Sequence, residues 1–137
     1  MSGESRATVR LRRDGVRAPG MRGDTTGVRW ETVCLLDRLL PERGSAALLA
    51  AGGEPVQVAL FRMRDVVHAI GNVDPFSGAA VLSRGIVGDR AGVPTVASPV
   101  YKQVFSLVTG ECLDDAAVRV PVYPVRTTDG WLQVGLP

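Results

Sequence analysis

Residues 97–113 read ASPVYKQVFSLVTGECL, and the reading of this stretch decides the fold. It holds the only lysine of the chain, Lys102, against a background in which every other basic residue is arginine. Pro99 stiffens the approach, because its ring fixes φ. KQVFSLV (102–108) has the β-branched and aromatic content of a strand, and Thr109-Gly110 supplies its turn. A rigid proline loop, a tyrosine and a lone lysine therefore stand side by side just ahead of a strand.

Upstream, residues 72–99 are rich in Gly, Pro, Asp and Ser, notably in NVDPFSG and GDRAGVPTVASP. They predict two loops flanking short strands. GIVGDRAG (85–92) lacks the glycine spacing and strand-to-helix context of a phosphate-binding loop and reads as a turn. Earlier still, RWETVCL sets Trp30, Thr32 and Cys34 against Glu31, Val33 and Leu35, the alternation of a half-buried strand. DRLLPERGS is a loop. AALLAA (46–51) is short and stops at Gly52-Gly53, which favours a strand over a helix. PVQVALFR (55–62) puts Val56, Val58 and Leu60 on one face; Met63-Arg64-Asp65 turns the chain, and VVHAIG (66–71) returns. Downstream, VRVPVYPVRTTDGWLQVGL predicts two strands around Asp129-Gly130, a strong two-residue hairpin signal, with Pro121 and Pro124 placing the first at an edge or bulge. The prediction is an all-β domain of short antiparallel strands.

The 137 residues suit one domain. Residues 1–28 carry six arginines against Glu4, Asp14 and Asp24, so the basic character of the chain sits in this segment. It has no hydrophobic periodicity and is expected to be a disordered tail, with the domain at 29–137. Arg12-Arg13 is followed by no apolar run, so it is not a twin-arginine signal. No stretch approaches the roughly 18 apolar residues of a membrane span. Cys34 and Cys112, without a signal peptide, fit free thiols in a reducing cytoplasm. Aromatic content of 5% argues against a stacking platform for single-stranded nucleic acid, and a net charge of +2 is too small to imply a nucleic-acid partner, so none is expected.

Free-standing catalysis finds no support. The single histidine, His68, lies in an apolar strand and reads as a packed, hydrogen-bonded residue. One histidine and no Cys-x-x-Cys preclude the usual zinc sites. There is no G-x-S-x-G nucleophile elbow, and Asp114-Asp115 reads as a solvated turn. No catalytic, cofactor-binding or metal-ligating residue is expected in the chain.

The two loops resemble those of Rieske-type [2Fe–2S] domains, which hold one iron with two cysteines and the other with two histidines. In that pattern the ligands come as Cys-x-His in one loop and Cys-x-x-His in the next, the second followed by a strand with Phe and then Thr-Gly. Here AIGNVDPFSG places Asp74 and Phe76 at the first pair of positions. VASPVYKQVFSLVTG places Ser98 and Tyr101 at the second, with Phe105, Thr109 and Gly110 following. The scaffold residues match, and each of the four ligands is replaced. Without thiolate or imidazole at either loop, the resemblance implies a vacated cluster site.

This combination resembles the small subunit of the cytoplasmic NAD(P)H-dependent assimilatory nitrite reductases, whose members carry stretches similar to residues 85–112. The resemblance runs from about Trp30 to the C-terminus. It implies a Rieske-like fold: a base sandwich or barrel plus a smaller degenerate cluster lobe at about 72–112. It also implies a large-subunit partner that carries FAD, siroheme and iron–sulfur centres and reduces nitrite to ammonia. The small chain itself would carry no cofactor and be inactive alone. Asp74, Phe76, Ser98 and Tyr101 are expected to fill the vacated site, Asp74 by pairing with Lys102 or a hydroxyl, Phe76 and Tyr101 as plugs. Lys102 stands where a cluster-bearing domain has glycine, and with Pro75 and Pro99 it is the candidate docking face. The alternative is a cluster-free interaction or regulatory module unconnected with nitrite reduction.

Overall fold

A computed structural model describes residues 27–51 and 54–137. The expected tail at 1–28 therefore lies almost wholly outside the described residues. Among the described residues, ten strands form three antiparallel sheets. The first joins β1 (Arg29–Leu35), β10 (Trp131–Leu136) and β9 (Val125–Thr128) in the order β1-β10-β9. The second joins β2 (Gly44–Ala51), β3 (Glu54–Met63), β4 (Val66–Gly71) and the two-residue β8 (Val122–Tyr123) in that order. The third joins β5 (Ile86–Arg90), β6 (Val93–Ala97) and β7 (Val104–Ser106). The all-β expectation holds, and the only helical pieces among the described residues are two short 3₁₀ turns, Leu36–Arg38 and Leu82–Arg84.

β3 explains the layering. Its run Val58-Ala59-Leu60-Phe61 is buried without a break, which a strand shows only when both its faces are covered. Val58 and Leu60 pack with Leu49, Leu132, Val134 and Leu136 in a core between the second and first sheets. Ala59 and Phe61 pack with Ile70, Leu82, Val96, Phe105 and Leu107 in a second core, beneath the loops and the third sheet. The second sheet is thus a shared wall, and the lobe at about 72–112 stands on its far side.

Four local expectations are corrected. RWETVCL is buried on both sides, at Trp30, Glu31, Val33 and Cys34, because the register slips between Thr32 and Cys34 and a bulge breaks the alternation. GIVGDRAG is mostly strand: Ile86–Arg90 pairs with β6, and the turn is confined to Ala91-Gly92, both at positive φ. The strand expected at 102–108 shrinks to Val104–Ser106. Ahead of it Lys102 is left-handed, at φ 66°; behind it the Ser106 hydroxyl accepts from the amides of Val108 and Thr109 and curls the chain. The C-terminal segment makes three strands rather than two. Pro121 and Pro124 bracket β8, and the chain leaves the second sheet there to enter the first. The Asp129-Gly130 hairpin forms as expected, with φ of 52° and 82°.

Candidate functional site: a polar clasp between two loops

The first loop leaves β4 at Asn72, which is buried and tied on three sides. Its amide donates to the Gln57 carbonyl, its carbonyl accepts from Leu82, and its Oδ1 accepts from the Ser83 amide at 2.7 Å. The next turn is closed by Asp74, whose amide donates to Ala79 O and whose carbonyl accepts from Gly78. The second loop leaves β6 at Ser98. Its amide donates to Gln103 O and its carbonyl accepts from Lys102, so residues 98–103 form a closed turn. Glycine is required just past β7: Gly110 has φ 80°, and a Cβ there would run into the Val120 carbonyl.

These turns bring Asp74 and Ser98 together. Both are fully buried. The Ser98 hydroxyl donates to Asp74 Oδ2 at 2.5 Å, and the Phe76 amide donates to Oδ1 at 2.8 Å. The Ser98 Oγ also accepts from the Val100 amide at 3.2 Å. A buried carboxylate is costly unless its lone pairs are used; here each oxygen has a donor, and the bond crosses from one loop to the other. Of the two partners expected for Asp74, the hydroxyl takes it.

The aromatic expectation divides. Phe76 is half-buried and meets Phe105 at 6.2 Å between ring centroids, tilted by 51°, within the range of favourable aromatic pairs. Tyr101 is no plug: it is 60% exposed. With Asp74 and Ser98 in direct contact, the loops approach without a second ring between them, and the tight turn at 98–103 turns the phenol outward. Lys102 is exposed, and its Nζ donates to the Pro99 carbonyl at 3.2 Å rather than to Asp74. Its positive φ is a backbone that suits glycine, in keeping with the glycine that the resemblance puts there. Pro75 and Pro99 are exposed beside it.

The residues present do not fit an iron–sulfur cluster. The four positions offer a carboxylate, a phenyl ring, a hydroxyl and a phenol, where thiolate and imidazole are needed. Two of them are already bonded to each other. Cys112 is buried in the second core, bridged to Phe105, and serves packing.

Two features escaped sequence reasoning. Asp114 caps β7 by accepting from the Val104 amide at 2.9 Å, and faces Arg90 at 3.6 Å. His68 departs from the hydrogen-bonded expectation: its ring lines an open cleft, and no protein group bonds it among the described residues. Burial alone lowers its pKa from 6.5. Its place in an apolar strand could not disclose that cleft, because the opposite wall comes from β5 and β6.

Three packed sheets with two loops projecting at one end define a Rieske-type domain, and the family described as "Rieske-like [2Fe-2S] domain" matches residues 29–135. The nitrite reductase (NADH) small subunit of Escherichia coli K12 is 44% identical over 108 residues, covering 77% of this chain and 96% of that protein. A solved Mycobacterium tuberculosis structure, assigned to an NADH-dependent nitrite reductase small subunit, is 54% identical with a TM-score of 0.74, covering 80% of this chain and 96% of that one. The chain belongs to the family of nitrite reductase small subunits. The Klebsiella oxytoca nitrite reductase [NAD(P)H] large subunit is 42% identical over 106 residues, which are 77% of this chain but 11% of that much longer protein.

Proposed function

We propose that this chain is the cluster-free small subunit of a cytoplasmic NAD(P)H-dependent nitrite reductase, inactive alone, and that it docks its large subunit through the tips of its two loops. The observation that carries the reading is the Asp74–Ser98 bond. It occupies the place of a cluster with a cross-link that conducts no electrons, and leaves the loops closed and fit for recognition. The tips present Val73, Pro75, Pro99, Val100 and Tyr101, all exposed, with Lys102 as the one cation among them. Apolar surface rimmed by a charge is the composition of a contact surface. The Klebsiella protein supports the pairing, since in it a stretch similar to this chain lies within one polypeptide named as the large subunit. Relatives named for nitrite reduction also favour this reading over a free-standing interaction module. FAD, siroheme and iron–sulfur centres belong, in this account, to the large subunit.

The test is co-purification from cells expressing both subunits. Wild-type chain is expected to bring down a coloured partner that oxidises NAD(P)H when nitrite is added, and to be colourless and inactive alone. Lys102→Glu is expected to fold normally and lose the complex. An unchanged complex would remove the loop tips as the docking face.

A further inference from the structure

β5 is an edge strand, with β6 on one side and, among the described residues, no strand on the other. The register states which of its backbone groups are spare. The Pro94 carbonyl accepts from the Leu107 amide, so Pro94 faces away from β5. By alternation its neighbour Thr95 faces β5 and bonds Gly88, with which it is in register. Val87 and Asp89 therefore turn their N–H and C=O groups to the free side, and nothing bonds those groups among the described residues. Natural edges are usually shortened, covered or blunted. This one begins at Ile86, paired with Ala97 one residue before Ser98, and Ile86 is 77% exposed, the most exposed large hydrophobic residue described. The edge thus runs on directly from the loop tips.

Bordered by Val87, Gly88 and Asp89 of the same strand is the cleft of about 690 Å³ that His68 lines. Its lining includes the apolar Met63, Val66, Val87 and Pro94 and the carboxylate-bearing Glu42 and Asp89. Each carboxylate has one oxygen engaged, Glu42 by the Arg64 amide at 2.9 Å and Asp89 by the Gly92 amide at 3.0 Å. The other oxygen of each is free. Arg64 also lines the cleft, so the lining carries two carboxylates and one guanidinium.

We propose that the free edge of β5 and this cleft form one docking site, in which an extended segment of the large subunit adds to β5 as an outer strand. One lysine or arginine of that segment lies across Met63 and Val66 toward Glu42 and Asp89. The inference rests on the large-subunit partnership proposed above. Strand addition takes its affinity from main-chain hydrogen bonds and its specificity from pockets for alternate side chains, and a long aliphatic stem ending in a cation matches a lining of apolar side chains and two half-used carboxylates. A second copy of this chain is a poorer occupant. Paired antiparallel through Gly88, it would set Asp89 against Val87 and offer the carboxylates no cation.

The test is residue-resolved hydrogen exchange on the small chain, free and in complex with the large subunit. Protection of the Val87 and Asp89 amides by tenfold or more, with Ile86 and Gly88 unchanged, is the expected result. A complex that leaves Val87 and Asp89 unchanged overturns the inference and spares the partnership. Failure to form any complex overturns both. A dimer of the small chain alone that protects the same two amides overturns it in favour of self-pairing. Asp89→Pro removes one outward N–H, and because residue 89 faces Pro94 it takes no bond from β6. It is expected to weaken the complex about tenfold, and Asp89→Asn by less; wild-type affinity in both would also overturn the proposal.

Discussion

The two cores share a wall and are built differently. Between the first and second sheets the buried residues are aliphatic with a single thiol, from Val33 and Leu39 through Leu60 to Leu136, with the half-buried Tyr123 packed against them. The one under the loops contains two phenylalanines, Phe61 and Phe105, with Phe76 half-buried against them. Five of the seven buried polar residues among the described residues also lie on the lobe side: Asn72, Asp74, Thr95, Ser98 and Ser106. Apolar burial is graded and tolerant of shape, whereas a buried polar tie is lost whole when one partner goes. The base should therefore respond to substitution by volume alone, and the lobe by volume and, in addition, by bonding.

The sharpest way to break that contrast is to remove apolar volume from the lobe. Phe105 is fully buried, and Phe105→Ala is expected to cost about 3–5 kcal/mol, read as a shift in the urea midpoint at unchanged slope. A loss below about 1 kcal/mol would mean that polar ties alone hold the lobe. Asp74 tests the other half. Asp74→Ala leaves the Ser98 hydroxyl and the Phe76 amide without their acceptor, and should cost about 1–3 kcal/mol. Asp74→Asn can still accept from Phe76 and donate to Ser98, and should cost less. The ordering matters more than the sizes: equal losses in the two variants would mean that the clasp contributes by packing rather than by bonding.

How much of this was legible in the sequence varied with the origin of the signal. Strands β2, β3 and β4 and the closing hairpin follow from apolar runs bounded by breakers, and all were placed. The positions of the clasp were legible as well, because Asp74 and Ser98 fall at fixed offsets within recognisable loops. Side-chain direction within those loops was not. Whether Tyr101 turns in or out depends on the hydrogen bonds that close residues 98–103, and Lys102 enters the left-handed region through that closure rather than through its own preference. Alternation also misled at β1, since a bulge shifts the inward face partway along the strand. The cleft at His68 was invisible, because it exists only where β3 and β4 meet β5 and β6.

Lys102 gives a smaller effect with an unusual sign. A non-glycine residue in the left-handed region costs about 1 kcal/mol, and the Lys102 side chain makes only one exposed bond, to Pro99 O. Lys102→Gly relieves the backbone but gives the unfolded chain more freedom. Thermal unfolding should show stability unchanged or raised by up to about 1 kcal/mol, while binding to the large subunit falls with the loss of the cation. A destabilised glycine variant would mean that the lysine secures the turn through its side chain, and the docking role would lose its main argument.

His68 supplies the smallest effect, and its sign can be worked out in advance. Burial lowers its folded pKa below 6.5, although the carboxylates of Glu42 and Asp89, which face the same cleft with Arg64, would pull a closely paired imidazole the other way. Between the lowered folded value and 6.5 the unfolded chain binds more protons than the folded one, so stability rises with pH across that window. The contribution is fully present above 6.5 and is lost as pH falls through the window toward the folded value. Because the ring is only half-buried, solvent keeps the loss small. The difference in unfolding free energy between wild type and His68→Gln, followed from about pH 7.5 to about pH 5, isolates it from the carboxylates that titrate in both proteins. Wild type should lose ground to the variant on acidification. A gain instead would mean that the carboxylates govern the imidazole, and that the cleft already holds a cation-stabilising field of the kind proposed for the lysine or arginine of a partner.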